Sequence, residues 1–339
     1  SNRRKRYESC NKGDRSQMKS ETKAWKRVLK DPTFRSFGGI ILVIVIVSVL
    51  LAIRNPNFMT TSNILNILRQ ISVYGILAAG MTFVIITGGI DLSVGAVAGM
   101  GGAIVASFVT KDIMPFLPAV LVALLVGILV GFINGFVVSN LNVPPFAMTL
   151  AMQISLRGLC YIVCEGKPIG NLPQYMQDLG LGSTFGIPTP IYFLLAVLIL
   201  VWVILSKTTF GRSIYAVGGN PQAAYQAGIN SKKVITMVYC VSGMLAAIAG
   251  VILAARNASA QPTGGNAFET EAIAACVMGG ISMSGGSGSI IGVFFGALLL
   301  GIINNGMNLL YIDSYWQMVI KGVIIAGSVI YSIISSKKR

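Results

Sequence analysis

The stretch "FLPAVLVALLVGILVGFINGFVVS" (Phe116–Ser139) carries no charged residue. An α-helix needs about 20 apolar residues to cross the hydrocarbon core of a membrane, and this run is long enough. A backbone in lipid must satisfy its own hydrogen bonds, and the alternating pattern of a barrel strand is absent. The run therefore predicts a transmembrane helix.

Similar apolar runs recur along the whole chain. Of the 339 residues, 54% are apolar and 11% are charged, whereas a soluble domain has about 25% charged residues. We therefore predict an all-α, polytopic helical membrane protein with about ten transmembrane helices. The eighth predicted span is short and ends in glycines, so we expect it to be broken or re-entrant. The predicted spans besides Phe116–Ser139 are Gly38–Ile53, Ile64–Thr87, Leu92–Val109, Phe146–Val163, Ile191–Leu205, Val234–Ala255, Ala272–Ile281, Ile290–Tyr311 and Trp316–Ile334.

The formal net charge of +15 is concentrated in three places. These are a basic tail at residues 1–35, an inner loop at about residues 206–233, and the last three residues, Lys337–Arg339. Basic residues that flank apolar spans mark the cytoplasmic side, so both termini are expected in the cytoplasm. The transmembrane domain is expected between the tail and the last residues, at residues 36–336. The basic tail either only fixes the orientation of the protein, with its positive charges on the cytoplasmic side, or also binds anionic lipid. Nucleic-acid binding is not expected, because no recognition motif accompanies the charge.

Several kinds of chemistry are excluded by what the sequence lacks. The chain has no histidine and its five cysteines are scattered, so neither a metal site nor a disulfide framework is expected. No G-x-x-x-x-G-K-[ST] motif occurs, so no site for a nucleoside triphosphate is predicted. We therefore expect no catalytic residue, no metal and no cofactor in this chain, which is predicted not to be an enzyme.

The inner loop contains "FGRSIYAVGGNPQAAYQAGINSKKV" (Phe210–Val234). Asn220 is a strong helix N-cap, a proline follows it, and Gly228 can take the left-handed conformation that ends a helix. The pattern predicts a helix of about two turns over Pro221–Ala227. Its alanines, Ala223, Ala224 and Ala227, are expected to form a small face that another protein can approach closely. The alternative is an ordinary linker between two halves of the bundle.

Two glycine motifs resemble each other. "VIITGGIDLSVG" (Val84–Gly95) and "CVMGGISMSGGSG" (Cys276–Gly288) each follow a predicted span at its cytoplasmic end. Transporters are often built from two related halves, and this short match is consistent with such a duplication.

Polar side chains at membrane depth are candidates for a translocation path. Asp91 is expected either to cap the third span or to line the path, alone or paired with a cation. Arg157 is expected to face the bundle interior and to hold a carboxylate, backbone carbonyls or water, whereas Lys321 is expected to reach the membrane surface. For the asparagines, hydrogen bonding between helices is the alternative. The path candidates are Asp91, Ser93, Asn134, Gln153, Asn304, Asn305 and Asn308.

The inner loop and the first glycine motif, together with "SAQPTGG" (Ser259–Gly265), "GGISMSGGSGSIIG" (Gly279–Gly292) and "NNGMNLL" (Asn304–Leu310), resemble a known family. The chain is similar to the permease subunit of bacterial ATP-binding-cassette (ABC) sugar importers of the ribose type, over about residues 36–336. The long basic tail departs from the family pattern.

The resemblance implies an inner-membrane permease that works by alternating access. Its expected partners are ABC ATPase subunits that bind ATP and Mg, a periplasmic sugar-binding protein, membrane lipid, and a second permease subunit in a homo- or heterodimer. The loops Glu165–Pro190 and Asn257–Thr270 would receive the binding protein, unless they are simple connectors. The ATPase-coupling residues implied are Gly218, Asn220, Ala223, Ala224, Gly228 and Ile229.

Two alternatives stay open at this point. A secondary carrier driven by an ion gradient would usually bury titratable groups, of which the sequence offers few, mainly Asp91. An ABC permease for another solute, such as branched-chain amino acids or a furanose-like signal, would share the same architecture.

Overall fold

A computed structural model describes residues 32–336 as thirteen α-helices, one short 3₁₀-helix and a two-residue hairpin. The basic residues 1–31 and Lys337–Arg339 lie outside the described residues, so the predictions for them stay untested. The 3₁₀-helix is Pro56–Met59. The α-helices are α1 Pro32–Arg54, α2 Thr61–Ile86, α3 Val94–Thr110, α4 Phe116–Leu141, α5 Pro145–Val163, α6 Gln174–Leu181, α7 Thr189–Lys207, α8 Thr209–Gly219, α9 Pro221–Gln226, α10 Ser231–Arg256, α11 Phe268–Met278, α12 Ile290–Leu309 and α13 Ser314–Ser336.

Every predicted span falls on one of these helices, which confirms the all-α membrane architecture. Within residues 32–336, seven helices are long and apolar enough to cross a membrane, namely α1, α2, α4, α5, α7, α10 and α12. The apolar parts of α3 and α13 are shorter. Helix α11 has 11 residues, or about 16 Å, and cannot cross about 30 Å of hydrocarbon. The eighth span is therefore a half-helix, as its glycines predicted.

The core of the bundle is built around α2 and α10. Every residue of α2 from Ile71 to Ile86 is buried. Helix α10 packs on α4 and α3 through glycines, because Gly243 meets the backbone of Gly127 and Gly250 meets that of Ala98. Small residues let helix backbones approach closely in lipid, where dispersion forces and hydrogen bonds drive association.

Two segments of irregular backbone lie inside the bundle, between α2 and α3 and between α10 and α11. Both lie against other helices, which is how non-helical backbone is tolerated at membrane depth. The glycine motifs end α2 and α11 in the same way, with Gly88 at φ 82° and Gly280 at φ 83°. In each, the next residue donates its N–H five residues back, to Val84 and to Cys276 respectively, at 3.0 Å. The sequence resemblance thus reflects one shared helix-ending device.

The loop between α5 and α7 is an ordered cap. It contains α6 and a hairpin in which β1, Ser183–Thr184, pairs antiparallel with β2, Ile187–Pro188. An isolated bridge joins Ile169 to Ala260 in the loop before α11, with N–H to carbonyl distances of 2.8 and 2.9 Å. This loop and the α10–α11 loop therefore meet at the end of the bundle opposite α8 and α9.

Candidate functional site

The inner loop holds two helices, where the sequence predicted one. Helix α8 is capped by Thr208, whose hydroxyl accepts the N–H of Gly211 at 3.0 Å. It buries one face, including Ile214 and Val217. The signal for α8 was present in the apolar spacing of Phe210, Ile214 and Val217 after a capping threonine.

Helix α9 has the two caps that its sequence predicted. The side-chain oxygen of Asn220 accepts the N–H groups of Gln222 and Ala223, both at 3.0 Å. At the other end Gly228 has φ 81°, and the N–H of Ile229 donates to the carbonyl of Ala224 at 3.0 Å. The helix ends at Gln226 with Ala227 as its cap residue, one position earlier than predicted.

The faces of α9 correct one expectation. Ala223 and Ala227 are exposed, but Ala224 is only 4% exposed and packs against the bundle. It therefore anchors the helix and cannot offer a surface to another protein. Between the alanines, Tyr225 is 75% exposed. Ala223 and Ala227 are thus the two alanines that stay exposed on one side of the helix, and Tyr225 points to a different side.

Gly218, near the end of α8, is the contact between the inner loop and both glycine motifs. A side chain at this position would collide with the carbonyl of Ile86 and the amide of Gly286. These two groups are themselves hydrogen-bonded, Gly286 donating to Ile86 at 2.8 Å. The hydroxyl of Tyr215 adds a bond to the carbonyl of Gly288 at 2.9 Å, and burial raises the pKa of this hydroxyl, so it stays a donor. We call α8 and α9 together, Thr209–Gln226, the coupling segment.

Asp91 is the centre of a buried hydrogen-bond network and is 1% exposed. One carboxylate oxygen accepts the N–H of Ser93 at 3.0 Å and its hydroxyl at 2.6 Å, and the other accepts the hydroxyl of Ser242 at 3.2 Å. Asn134 donates to the Ser93 hydroxyl at 2.9 Å. Helix α3 is capped at Ser93, so Asp91 caps the turn before it and its partners are hydroxyls and an amide rather than a cation.

The three asparagines of α12 have different surroundings. Asn305 and Asn63 form a reciprocal amide pair with distances of 2.7 and 3.0 Å. Asn308 accepts from Gln317 of α13 at 3.0 Å. Asn304 is 3% exposed and neither end of its amide has a partner among the described residues. Asn305 and Asn308 thus form hydrogen bonds between helices, which was the alternative to a role in the translocation path.

Arg157 binds backbone carbonyls, as expected. Its guanidinium donates to Gly264 at 2.6 Å and to Pro262 at 3.2 Å, both in the loop that leads into α11. One turn away on α5, Gln153 donates to the carboxylate of Glu269 at 2.9 Å. Gln153, a path candidate, therefore belongs to the junction of α5 and α11.

Lys321 does not reach toward the membrane surface, which corrects a second expectation. Its ammonium lies 2.7 Å from a carboxylate oxygen of Glu271, and this carboxylate side chain is 7% exposed. Sequence reasoning missed both Glu269 and Glu271, because the eighth span was predicted to begin at Ala272, whereas α11 begins at Phe268 and carries the two carboxylates in its first turn. Carboxylates are favourable there, where the helix dipole is positive.

Comparison with known proteins places the chain among permeases. Residues 63–329 match the profile of a family described as the permease component of a branched-chain amino acid transport system. The ribose import permease protein RbsC of Bacillus subtilis (strain 168) is 44% identical over 90% of this chain and 95% of its own length. The same protein of Escherichia coli (strain K12) is 42% identical over 94% of this chain and 96% of its own length.

A third relative is the L-arabinose transport system permease protein AraH of Escherichia coli (strain K12). It is 38% identical over 89% of this chain and 92% of its own length. No solved structure gives a significant match. At this coverage and identity the chain belongs to the permease family that its profile describes, and it is a multi-pass transport component of the inner membrane rather than an enzyme.

Proposed function

We propose that the chain is the membrane-spanning subunit of an ABC importer that passes a monosaccharide of the ribose type into the cell. Support comes from the relatives, whose names specify ribose, D-allose and L-arabinose. These cargoes are all small neutral polyols. A cargo of this kind needs hydroxyl and amide contacts rather than a charged site, and the buried network at Asp91 offers such groups.

The proposed assembly contains two cytoplasmic ATPase subunits, a periplasmic sugar-binding protein and a second permease subunit, identical or related. ATP and Mg bind to the ATPases. Helices α7 and α10 run from the coupling segment at one end of the bundle to the ordered cap that contains α6 at the other end. This separation supports an ATPase contact at one membrane face and a binding-protein contact at the other.

The observation that carries the proposal is the form of the coupling segment. Helix α9 is largely exposed and capped at both ends, and it follows α8, whose Gly218 packs on the backbone of the two glycine motifs. A helix of six residues is marginal alone, so the caps and the anchor at Ala224 are what keep it ordered. A rigid, docked helix transmits the closure of a partner ATPase, whereas a flexible linker would absorb it.

Transport then proceeds by alternating access, and the coupling residues are Gly218, Asn220, Ala223, Ala224, Gly228 and Ile229. Movement of the coupling segment displaces the end of α2 and the glycine motif after α11, which Gly218 contacts. The spans rearrange around a path for which the candidates are Asp91, Ser93, Asn134, Gln153, Asn304, Asn305 and Asn308. Most of these side chains are occupied by protein partners in this conformation, which fits a path of weak contacts.

Reconstitution tests the proposal. The permease, with the ATPase and binding protein encoded beside it, is placed in liposomes, and uptake of labelled ribose, L-arabinose, D-allose and leucine is measured with and without ATP. We expect monosaccharide uptake that requires ATP and both partners. Uptake driven by an ion gradient without the ATPase contradicts the proposal, and uptake of leucine in place of sugars contradicts its cargo.

A further inference from the structure

Helix α11 is linked at its C-terminal end to the coupling segment. The glycine motif that follows it contacts Gly218 through Gly286 and accepts the hydroxyl of Tyr215 at Gly288. At its base Gly279 packs directly on the backbone of Gly292 in α12. The contacts at Gly218 and Gly279 are made by backbone atoms, and the Tyr215 hydroxyl adds one side-chain bond between the coupling segment and the motif after α11.

The N-terminal end of α11 is linked to two other helices through carboxylates. Glu269 accepts from Gln153 of α5 at 2.9 Å, and Glu271 pairs with Lys321 of α13 at 2.7 Å. Both glutamates are buried, at 7% and 5% exposure. A bond to a buried charge is strong and directional because water does not compete for it.

The two helices held in this way have few buried residues of their own. Helix α5 buries only Thr149, Leu156 and Cys160, and no described side chain of α13 is fully buried. The ion pair with Glu271 is therefore one of the contacts that hold α13 against the bundle. Helices with little interior packing are the ones that can shift without opening the core.

The junction of α5 with α11 also holds unused hydrogen-bonding capacity. One guanidinium nitrogen of Arg157 and one carboxylate oxygen of Glu269 are buried, and neither has a partner among residues 32–336. The unpaired oxygen of Glu269 lies against Gly95 of α3, and the bonded nitrogen of the Arg157 guanidinium lies against Gly99, one turn further along the same helix. A buried polar group without a partner is costly, so a rearrangement of this junction that pairs these atoms would be stabilising.

From these contacts we infer that α11 is the link that carries motion from the coupling segment to α5 and α13, with Glu269 and Glu271 as positioning residues. Displacement of Gly218 moves the glycine motif, α11 moves as a rigid half-helix, and the two carboxylates pull α5 and α13. The inference rests on the proposed function, because it needs an ATPase that moves the coupling segment.

The test uses the full chain with its ATPase and binding protein in liposomes, and measures sugar uptake per ATP hydrolysed. Glu271→Gln is expected to lower this ratio about tenfold while stimulated ATP hydrolysis stays within about twofold. The exchanged pair Glu271→Lys with Lys321→Glu is expected to restore most of the coupling. Asp112→Asn, which neutralises an exposed carboxylate in the α3–α4 turn, is the matched control and leaves the ratio unchanged.

Normal coupling in Glu271→Gln overturns the inference, and so does an exchanged pair no better than the single variant. Should Glu271→Gln fail to assemble, Lys321→Gln tests the same ion pair from its half-exposed side. Spin labels at Met237→Cys on α10 and Met318→Cys on α13 report the motion itself, and their distance should change on ATP binding only with the pair intact. If the parent protein imports no sugar at all, the proposed function has failed instead.

Discussion

Gly218 shows how a single residue couples distant parts of this chain. The carbonyl of Ile86, at the end of α2, and the amide of Gly286, in the motif after α11, occupy the space where a side chain would begin. Both obstacles are backbone atoms, so neither can rotate away. The neighbouring Gly219 has open space at the same position. The two adjacent glycines therefore differ in the space around them although they look equivalent in sequence.

Gly218→Ala is expected to displace the coupling segment and to lower ATP-driven uptake about tenfold, with a cost of about 1–3 kcal/mol from overpacking. Gly219→Ala, the matched control, should transport like the parent protein. Uptake and thermal stability in detergent measure the two effects. Equal behaviour of the two variants would show that Gly218 is not the contact that transmits motion.

For single residues, the sequence predicted the helix caps, which depend on neighbouring residues, and missed contacts with residues far away in the chain. Asn220 and Gly228 were identified as caps because capping depends on a few neighbouring backbone groups. The direction of Ala224 depends on how α9 meets the bundle, which six residues do not encode. Lys321 was misplaced for a similar reason, since its partner Glu271 is far away in sequence.

Among the structural elements, α9 depends most on its ends. Asn220→Ala removes the acceptor for two N–H groups and should cost about 1 kcal/mol of local stability. Asn220→Asp keeps the acceptor and should behave like the parent. Hydrogen exchange in the segment measures the change, and uptake per ATP should fall with it. Faster exchange without loss of coupling would separate helix stability from function.

The exposed and buried sides of α9 predict different effects for the same substitution. Ala223→Arg places a charge on the exposed face, so the protein should insert normally while the ATPase binds more weakly and transport is lost. Ala224→Arg must bury the same charge and should reduce the amount of folded protein. Pull-down of the ATPase and yield after size exclusion distinguish the two. Unimpaired ATPase binding by Ala223→Arg would place the docking surface elsewhere.

Elements were predicted where their period or hydrophobicity was strong. The long spans follow from apolar length, which is set by membrane thickness. Helix α8 was missed because its apolar face covers only 11 residues beside the more evident caps of α9. Helix α11 was predicted as a short element, but it begins at Phe268, four residues before the predicted Ala272, so its two carboxylates fell outside the predicted span.

Across the whole molecule, the coupling segment and the α6 cap lie at opposite ends of α7 and α10. Phe185, in the hairpin of the cap, is 96% exposed, and Tyr225 of α9 is 75% exposed. A cysteine at Phe185 should react with an impermeant maleimide in intact cells, whereas one at Tyr225 should react only in inverted membrane vesicles. The parent protein without the introduced cysteine, treated with the same maleimide, is the control. Labelling of both sites from one side would contradict the orientation inferred from the basic residues.

Hydropathy predicted the membrane architecture but not the arrangement of helices within it. Helix α2 is almost fully enclosed and α1 is largely exposed, although both are apolar enough to span a membrane. Lipid and protein interior are similarly apolar, so hydropathy alone does not distinguish the two environments. The glycine pattern was the better guide, because close backbone contacts at Gly243 and Gly250 mark the centre of the bundle.

The brevity of α11 has a consequence for how the protein is made. An 11-residue segment with two glutamates in its first turn is too short and too polar to enter the bilayer as an independent span. It depends on Gln153 and Lys321 to shelter those carboxylates, and Lys321 emerges from the ribosome after α11 and α12. Helix α11 can therefore reach its final position only after α13 has been synthesised, so its packing is a late step of assembly.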